Sequence, residues 1–274
     1  MMSMTSDLYF ENSGTFIDSR LACPSDERRA TVNVFAANLY ESPQARERIE
    51  TQLLYGETVA PVEVHGQYTK VISLTDGYKG WTETAFLCDQ QVPNFFVSVP
   101  LAHLYGAPDL KTADPQHLSM GSLVTLNDHA MVNGFLQTEE GAYIYAKHVR
   151  PIGHWRADPV SVALEFLHAP YLWGGKTSSG LDCSALIQLS FAACGVKLHR
   201  DSDLQGEWSG HSVEHAARGD LAFFPGHVGM MLDEKLMLHA NATHMKVTVD
   251  PLESVIDWVR REGHGTPFHG FKRI

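Results

Sequence analysis

An internal repeat in the first half of the chain limits the possible folds more than any other feature of the sequence. Residues 37–43 (ANLYESP) recur as residues 102–108 (AHLYGAP), and residues 54–56 (LYG) recur as residues 119–121 (SMG), both with an offset of 65 residues. A repeat at a fixed offset indicates a duplicated module. Each copy contains short alternating apolar and polar runs broken by Gly, Pro, Asp and Asn, which predicts two small antiparallel β-barrels.

The repeat also resembles a known kind of module. Its predicted strands are residues 31–35, 58–64, 68–73 and 141–145. The pattern NLYESP, LLYGETV and YTKVISLTDGYKGWTETAFL resembles bacterial SH3-like modules, although the second copy has Tyr145 where the first has Trp81. The implied boundaries are an N-terminal segment at 1–29, a first SH3-like module at 30–92 and a second at 93–152.

Length and charge exclude several classes of protein. The chain has 274 residues, enough for two or three domains, and a net charge of −11 at pH 7. Binding to nucleic acid or to an anionic membrane surface requires an excess of Lys and Arg, so we expect neither partner. No apolar run approaches the roughly 18 to 20 residues of a membrane span.

The start of the chain and its cysteines indicate the compartment. Asp7, Glu11, Asn12 and Asp18 interrupt the segment where a secretion signal would need an apolar run of about 7 to 15 residues, so we expect a cytoplasmic protein. The four cysteines are scattered, and no C-x-x-C or H-E-x-x-H spacing is present. We therefore expect reduced thiols and no bound metal. We also expect a monomer without another cofactor.

Beyond residue 150 the pattern changes to helices followed by strands. Asp158-Pro159 predicts the start of a helix, and a second helix is predicted after Gly180, ending at a glycine cap at Gly195. The strands predicted after these helices are residues 221–224, 227–232, 236–240 and 246–249. Helices followed by strands indicate an α+β domain.

Cys183 lies in the segment GLDCSA, where a loop is predicted to pass into the second helix. Unpaired N–H groups and the positive end of the helix dipole favour a thiolate there, so we expect the pKa of this thiol to fall below its free value of about 8.5. Most free cysteines are instead small buried apolar residues. Cys194 fits that interpretation, since it lies about 16 Å further along the same helix among apolar neighbours.

A nucleophilic cysteine needs a base, and two histidines are candidates. His227 begins one predicted strand, and His239 lies in the next. If residues 233–235 form a three-residue turn, Gly229 pairs with His239, and both imidazoles lie on one face of the hairpin. His227 would then accept the thiol proton while His239 orients it, as in cysteine peptidases. A two-residue turn would place His239 on the opposite face.

Six short motifs support this interpretation: YLWGG from 171, LDCS from 181, RDS from 200, GDLAFF from 219, HVG from 227 and HA from 239. The series resembles the NlpC-type cell-wall peptidases, papain-like cysteine enzymes, over residues 153–274. The resemblance implies that Cys183, His227 and His239 form the catalytic set. Ala185 departs from the glycine usual after the serine of this family, and such a small residue should be tolerated.

The SH3-like modules in front narrow the resemblance to the γ-D-glutamyl-L-diamino acid endopeptidases. This group acts on murein stem peptides, L-Ala-γ-D-Glu-diamino acid, and its first module helps to close the substrate site. The implied substrate-binding residues are Tyr78, Tyr171, Trp173, Asp182, Ser184, Ser202 and Glu41. Several have ordinary alternatives, because Asp182 is also a good helix cap, Trp173 could be a core residue and Ser202 a loop serine.

Three functions from different classes remain open on the sequence alone. The first is an endopeptidase for murein peptides with a free N-terminal L-alanine, working in cell-wall recycling. The second is a binding protein in which the paired modules recognise peptidoglycan or a peptide. The third is an amidase or acyl transferase on the same scaffold. The intact set Cys183, His227 and His239 favours an enzyme.

Overall fold

The computed structural model describes residues 18–22, 28–263 and 265–274, so most of the predicted N-terminal segment, residues 1–29, lies outside the described residues. The chain divides into two compact units, residues 1–155 and residues 156–274. In the described residues, no helix combines the length and the apolar character that crossing a membrane requires.

The first copy of the repeat is built of strands. They are β1 (Ala30–Val32), β2 (Ala36–Leu39), β3 (Thr51–Leu54), β4 (Thr58–His65), β5 (Tyr68–Ser73), β6 (Lys79–Glu83) and β7 (Leu87–Asp89). The sheet order is β6-β5-β4-β1-β7, and β2 pairs with β3. The strands predicted at 58–64 and 68–73 are confirmed. The first strand ends at Val32 instead of Phe35, because the chain bends there to begin β2, which lies in a different sheet.

The second copy repeats this order of elements. Its strands are β8 (Phe95–Val97), β9 (Leu101–Tyr105), β10 (Gln116–Ser119), β11 (Leu123–Val124), β12 (Leu126–Val132), β13 (Phe135–Thr138), β14 (Tyr143–Tyr145) and β15 (Val149–Pro151). β8 and β10 begin 65 residues after β1 and β3, which is the offset of the sequence repeat. A short 3₁₀ helix precedes the last strand in each copy, at Thr84–Phe86 and Ala146–His148. The predicted duplication is therefore present in the fold.

Period-two alternation builds the interior of the second copy. In β9, Ala102 and Leu104 are buried, whereas Leu101 is exposed. Ala102 and Leu104 pack with apolar residues of the neighbouring strands, including Leu118, Leu136 and Ile144. Strands of this kind bury one face each, as in the small all-β barrels expected from the sequence.

The second unit combines helices with one main sheet. Its helices are α1 (Pro159–Leu164), α2 (Cys183–Ala192), α3 (Ser202–Trp208) and α4 (Leu252–Arg261). Its strands are β16 (Lys176–Thr177), β17 (Gly180–Leu181), β18 (His211–Val213), β19 (Leu221–Phe224), β20 (His227–Met231), β21 (Leu236–Asn241), β22 (Lys246–Pro251) and β23 (Gly270–Arg273). The six-stranded sheet has the order β18-β23-β19-β20-β21-β22. The α+β prediction is confirmed.

Local signals set the ends of the first two helices. Asp158 caps α1 by accepting hydrogen bonds from the backbone of Val160 and Ser161. Gly195 follows α2 with a φ of 81°, the left-handed conformation in which glycine ends helices. Every residue of α2 from Cys183 to Phe191 is buried, and the helix packs against β20 and β21 of the main sheet.

The sequence did not predict α3 and α4. No side chain makes a capping hydrogen bond to either helix. Pro251, which precedes α4, is not a typical cap residue, whereas Asp201 before α3 is a start signal that was not used. α4 nevertheless has the spacing of an amphipathic helix, since it buries Leu252, Val255 and Val259 against a cluster that contains Met231 and Met237. That spacing is the signal that could have revealed it.

We predict that Gly175→Ala destabilises the protein, because the loop before α2 leaves no room for a side chain. A Cβ at this position would lie 2.5 Å from the carbonyl oxygen of Gly180 and 2.9 Å from Cβ of Leu172. Overpacking of this kind costs about 1–3 kcal/mol in the free energy of unfolding, measurable by urea denaturation. Gly265→Ala is the matched control, since its Cβ would meet nothing within 4 Å. Equal stability of the two variants would contradict the prediction.

Candidate active site

Cys183 lies at the first turn of α2, as the sequence predicted. The helix begins at Cys183, and Oδ1 of Asp182 caps it by accepting a hydrogen bond of 2.9 Å from the backbone N–H of Ala185. The cap interpretation of Asp182 is therefore confirmed. Because the first N–H groups of a helix have no partner within it, the backbone at Cys183 can face a reacting group with a hydrogen-bond donor.

The expected lowering of the thiol pKa is wrong. Burial, helped by the neighbouring Asp182 carboxylate, raises the pKa of Cys183 to about 12. Hydrogen bonds with the backbone of Val228 and Ser184 and the charge of Arg200 act in the opposite direction but are weaker. Desolvation thus outweighs the helix terminus, and the thiol of the free protein is neutral at neutral pH.

The hairpin of β20 and β21 brings the two predicted histidines together. Met230 pairs with Leu238 and Met231 with Met237, which is the register expected for a turn at residues 233–235. Nε2 of His227 lies 2.8 Å from Nδ1 of His239, so the two rings share one face of the hairpin and form a hydrogen bond. The three-residue turn is confirmed.

Both imidazoles are neutral in this environment. Burial, helped by the neighbouring His239, lowers the pKa of His227 to about 3. Burial also lowers the pKa of His239, although the adjacent Asp250 opposes this effect. Because Nε2 of His227 faces His239, its other ring nitrogen, Nδ1, is the one left for a thiol. A neutral thiol and a neutral base fit general-base catalysis rather than a stored thiolate–imidazolium pair.

Asp250 extends the row of side chains and was missed by the sequence interpretation. Its Oδ2 lies 3.1 Å from Nε2 of His239. In β22, Thr248 pairs with His239, and Asp250 lies two residues further along on the same face. The predicted strand at 246–249 ended one residue before Asp250, and the contact with His239 follows only from the pairing of β22 with β21 in the fold.

Arg200 forms the most buried polar contact of the site and was also missed. Its guanidinium donates to both carboxylate oxygens of Asp182, at 2.9 and 2.7 Å, to Oγ of Ser184 at 2.9 Å and to the carbonyl of Gly175 at 3.2 Å. Arg200 is only 1% exposed. The network joins the loop before α2 to the first turn of that helix. The motif RDS contained the signal, but only its serine was interpreted.

The Arg200 network changes the interpretation of Asp182 and Ser184. Besides Arg200, the carboxylate of Asp182 accepts hydrogen bonds from the backbone of Gly174 and Ala185 and from the hydroxyl of Ser184. Five donors saturate a carboxylate, and Arg200 neutralises its charge. Contact between these two residues and a substrate stays a prediction, and the structure gives both a role in holding the helix start.

Two aromatic residues precede the nucleophile. The pKa of Tyr171 is raised by burial and by the proximity of Cys183 and Asp182, so its hydroxyl remains a hydrogen-bond donor near the thiol. Trp173 is 53% exposed, which excludes the core interpretation for this residue. Both positions are compatible with contact to a substrate.

Ser202 is the first residue of α3 and lines a cavity of about 290 Å³. Phe224 and Gly226 also line this cavity, and the ring of Phe224 lies 5.8 Å from that of His227. The cavity is therefore next to the proposed base. Ser202 belongs to a helix and is not a loop serine, and its contact with substrate stays a prediction.

Tyr78 and Glu41 lie in the first unit. Tyr78 is buried just before β6, and its backbone forms a bridge with Leu21. Glu41 is exposed in the segment that follows β2. Their participation in a substrate site formed with Cys183 stays a prediction.

Across the described residues, no group of three or more His, Cys, Asp or Glu side chains is arranged to bind a metal ion.

These observations define the class of the site. A cysteine begins a buried helix, a histidine lies on the strand packed against that helix, and a second hydrogen-bonded side chain fixes the histidine ring. Nucleophile, base and orienting group in this order are the arrangement of papain-like cysteine peptidases. Cys194, the alternative nucleophile, lies beyond the end of α2.

Comparison with known proteins identifies two domains. Residues 168–260 match the NlpC/P60 family, and residues 39–87 match the bacterial dipeptidyl-peptidase SH3 domain. The protein is a cysteine peptidase with an NlpC/P60 domain preceded by a bacterial SH3 domain. A crystal structure of an NlpC/P60 family protein from Bacillus cereus has the same fold, with a TM-score of 0.75 and 23% identity, covering 89% of this chain and 99% of that one.

Two curated relatives are similar over most of their length. Dipeptidyl-peptidase 6 of Lysinibacillus sphaericus is 26% identical over 249 residues, covering 82% of this chain and 92% of the relative. A gamma-D-glutamyl-L-lysine dipeptidyl-peptidase of Bacillus subtilis is 27% identical over 235 residues, covering 76% of this chain and 77% of the relative. The similarity therefore extends beyond the NlpC/P60 domain into the SH3 region.

We predict that alkylation of Cys183 accelerates steadily with pH in the free protein. Only the thiolate reacts, and a pKa of about 12 means that its fraction rises about tenfold per pH unit up to at least pH 10. Iodoacetamide labelling between pH 5 and 10, with the modified peptide quantified by mass spectrometry, separates Cys183 from the other cysteines. A plateau of reactivity between pH 5 and 8 would instead indicate a preformed thiolate–imidazolium pair.

We predict that Arg200→Met lowers the free energy of unfolding by about 3–5 kcal/mol, because it leaves the Asp182 carboxylate buried without its cation. Urea denaturation monitored by fluorescence measures the effect. Arg218→Met is the matched control, since Arg218 pairs with Asp158 at the surface and such pairs contribute about 0–1 kcal/mol. Similar small losses in both variants would show that the buried network is not needed for stability.

Proposed function

We propose that the protein is a γ-D-glutamyl-L-diamino acid endopeptidase that acts on murein stem peptides with a free N-terminal L-alanine. The observation that carries this proposal is the similarity, over three quarters of the chain, to an enzyme named gamma-D-glutamyl-L-lysine dipeptidyl-peptidase. It is joined by the hydrogen-bonded His227–His239 pair, whose first member lies on the strand packed against the helix of Cys183. A dipeptidyl-peptidase removes two residues from an amino end, and in this substrate they are L-alanine and D-glutamate.

The geometry supports a two-step acyl transfer. As the thiol attacks the γ-carbonyl carbon of D-glutamate, its S–H bond breaks and the proton passes to Nδ1 of His227. The tetrahedral intermediate then collapses, the amide C–N bond breaks, and His227 returns the proton to the leaving amine of the diamino acid. Water, deprotonated by the same imidazole, hydrolyses the thioester and releases the dipeptide and the free thiol.

Two donors are proposed to stabilise the oxyanion of the tetrahedral intermediate. One is the backbone N–H of Cys183, which has no partner within α2 because it lies in the first turn. The other is the hydroxyl of Tyr171, which stays protonated near the thiol. Removing one oxyanion donor typically costs about 100- to 1,000-fold in kcat.

The proposed requirement for a free amine agrees with the enzyme class. A free amine is a cation, so the site needs a negative charge to bind it. Asp182 is neutralised by Arg200, so it does not supply the negative charge for the amine by itself. Glu41 and Tyr78 of the first unit remain the proposed additional contacts. Selection for a free alanine would exclude intact murein and fits a cytoplasmic role in cell-wall recycling, which is part of the proposal.

We predict that the protein converts L-Ala-γ-D-Glu-L-Lys, or the diaminopimelate analogue, into L-Ala-D-Glu and the free diamino acid, identified by mass spectrometry. Cys183→Ala should abolish turnover, while Cys194→Ala, the matched control, should stay within a few-fold of the unchanged protein. Acetylation of the alanine removes a cation and its charge-assisted hydrogen bonds, so kcat/KM should fall at least about thirtyfold.

Other outcomes would redirect the proposal. Comparable rates on free and acetylated peptides, or rapid solubilisation of labelled sacculi, would reject the requirement for a free N-terminal amine and favour action on intact wall. A product in which the acyl group is joined to an added amine would indicate a transferase. Binding of the peptide without turnover would indicate a binding protein.

A further inference from the structure

Asp250 has a defined position at the end of the histidine pair. Its strand, β22, pairs with β21 so that Thr248 lies opposite His239 and Asp250 opposite Met237. Oδ2 of Asp250 is 3.1 Å from Nε2 of His239, which is itself only 1% exposed. The side chains therefore form one continuous row from His227 through His239 to Asp250.

Neighbouring polar groups hold the carboxylate in place. The hydroxyl of Thr248 donates to Oδ2 of Asp250 at 2.5 Å, and the amide of Asn241 in turn donates to that hydroxyl at 2.7 Å. On the other side, Nε2 of His244 lies 3.5 Å from Oδ1. Burial favours the protonated form of Asp250, but the hydrogen bonds from Thr248 and His239 outweigh it and hold the pKa of this carboxyl below its usual value.

The carboxylate of Asp250 at the end of the row determines which atom donates in each hydrogen bond. A carboxylate only accepts, so Nε2 of His239 must carry the proton of that bond. In a neutral imidazole the other nitrogen is then an acceptor, so Nδ1 of His239 accepts from Nε2–H of His227. By the same rule Nδ1 of His227 has a free lone pair, which is what a base for Cys183 requires.

We infer that Asp250 is a positioning residue of the peptidase, acting through His239 to fix the tautomer in which Nδ1 of His227 can accept the thiol proton. Without the carboxylate, His239 is free to carry its proton on Nδ1. His227 would then have to accept that bond at Nε2 and carry its own proton on Nδ1, where it blocks the thiol. The inference rests on the peptidase reaction and holds for any peptide substrate.

The first test needs no substrate. In protein labelled with ¹⁵N-histidine, two-bond ¹⁵N–¹H correlation spectra at pH 7 distinguish the two tautomers of each ring. We expect protonated Nε2 in both His227 and His239, with signals assigned from the His227→Asn and His239→Asn variants. A proton on Nδ1 of His239 in the unchanged protein would overturn the inference, whatever the substrate is.

The second test distinguishes the role of the Asp250 acceptor oxygen from the role of its negative charge. Asp250→Ala removes the acceptor and should lower kcat about ten- to hundredfold with KM changed less than about twofold. Asp250→Asn can keep an oxygen at the Oδ2 position, because the Thr248 hydroxyl donates there, so it should retain the tautomer and lose less activity. Asp257→Asn, an exposed carboxylate on α4, is the matched control and should leave kcat unchanged.

A double-mutant cycle shows whether Asp250 acts through His239. In the His239→Asn background, Asp250→Ala should cause little further loss of kcat, because the residue it orients is already gone. An equal loss in both backgrounds would mean that Asp250 supports the fold only, and so would an Asp250→Ala protein with unchanged histidine tautomers. Failure of the proposed substrate would leave the spectra interpretable, so the two proposals fail separately.

Discussion

The buried ion pair between Arg200 and Asp182 is the interaction on which the active site depends. A guanidinium that is 1% exposed can be kept only if its donors are matched, and here they meet both oxygens of a carboxylate, a hydroxyl and a backbone carbonyl. The pair connects the loop at Gly175 with the residue that caps α2. Cys183 directly follows Asp182 in the chain. The ion pair therefore fixes the position of the nucleophile, although Cys183 takes no part in the pair.

The sequence was sufficient for those parts of the site that local patterns determine. The start of α2 followed from its cap, and the register of the hairpin followed from the number of residues in its turn. Arg200 and Asp250 were missed because their roles arise from strands and loops that meet only in the folded chain. The ionisation of Cys183 was misjudged for the same reason, since burial is a tertiary property and here it outweighs the helix terminus.

Burial keeps the catalytic groups uncharged, because it disfavours charge on the thiol and on both imidazoles. The free enzyme therefore holds a row of neutral groups that ends in one anion, Asp250. When His227 accepts a proton, the positive charge arises two hydrogen bonds away from that anion. Charge is thus separated only during the reaction, in surroundings where the opposite charge is already in place.

The turn between β20 and β21 has an evolutionary consequence. Side chains alternate between faces with a period of two, so inserting or deleting one residue at 233–235 would move His239 to the opposite face of the sheet. Surface turns usually tolerate changes of length, because lengthening a loop costs little conformational entropy. In this hairpin only changes that preserve parity keep the histidines paired, so an exposed turn becomes intolerant of insertions and deletions of a single residue.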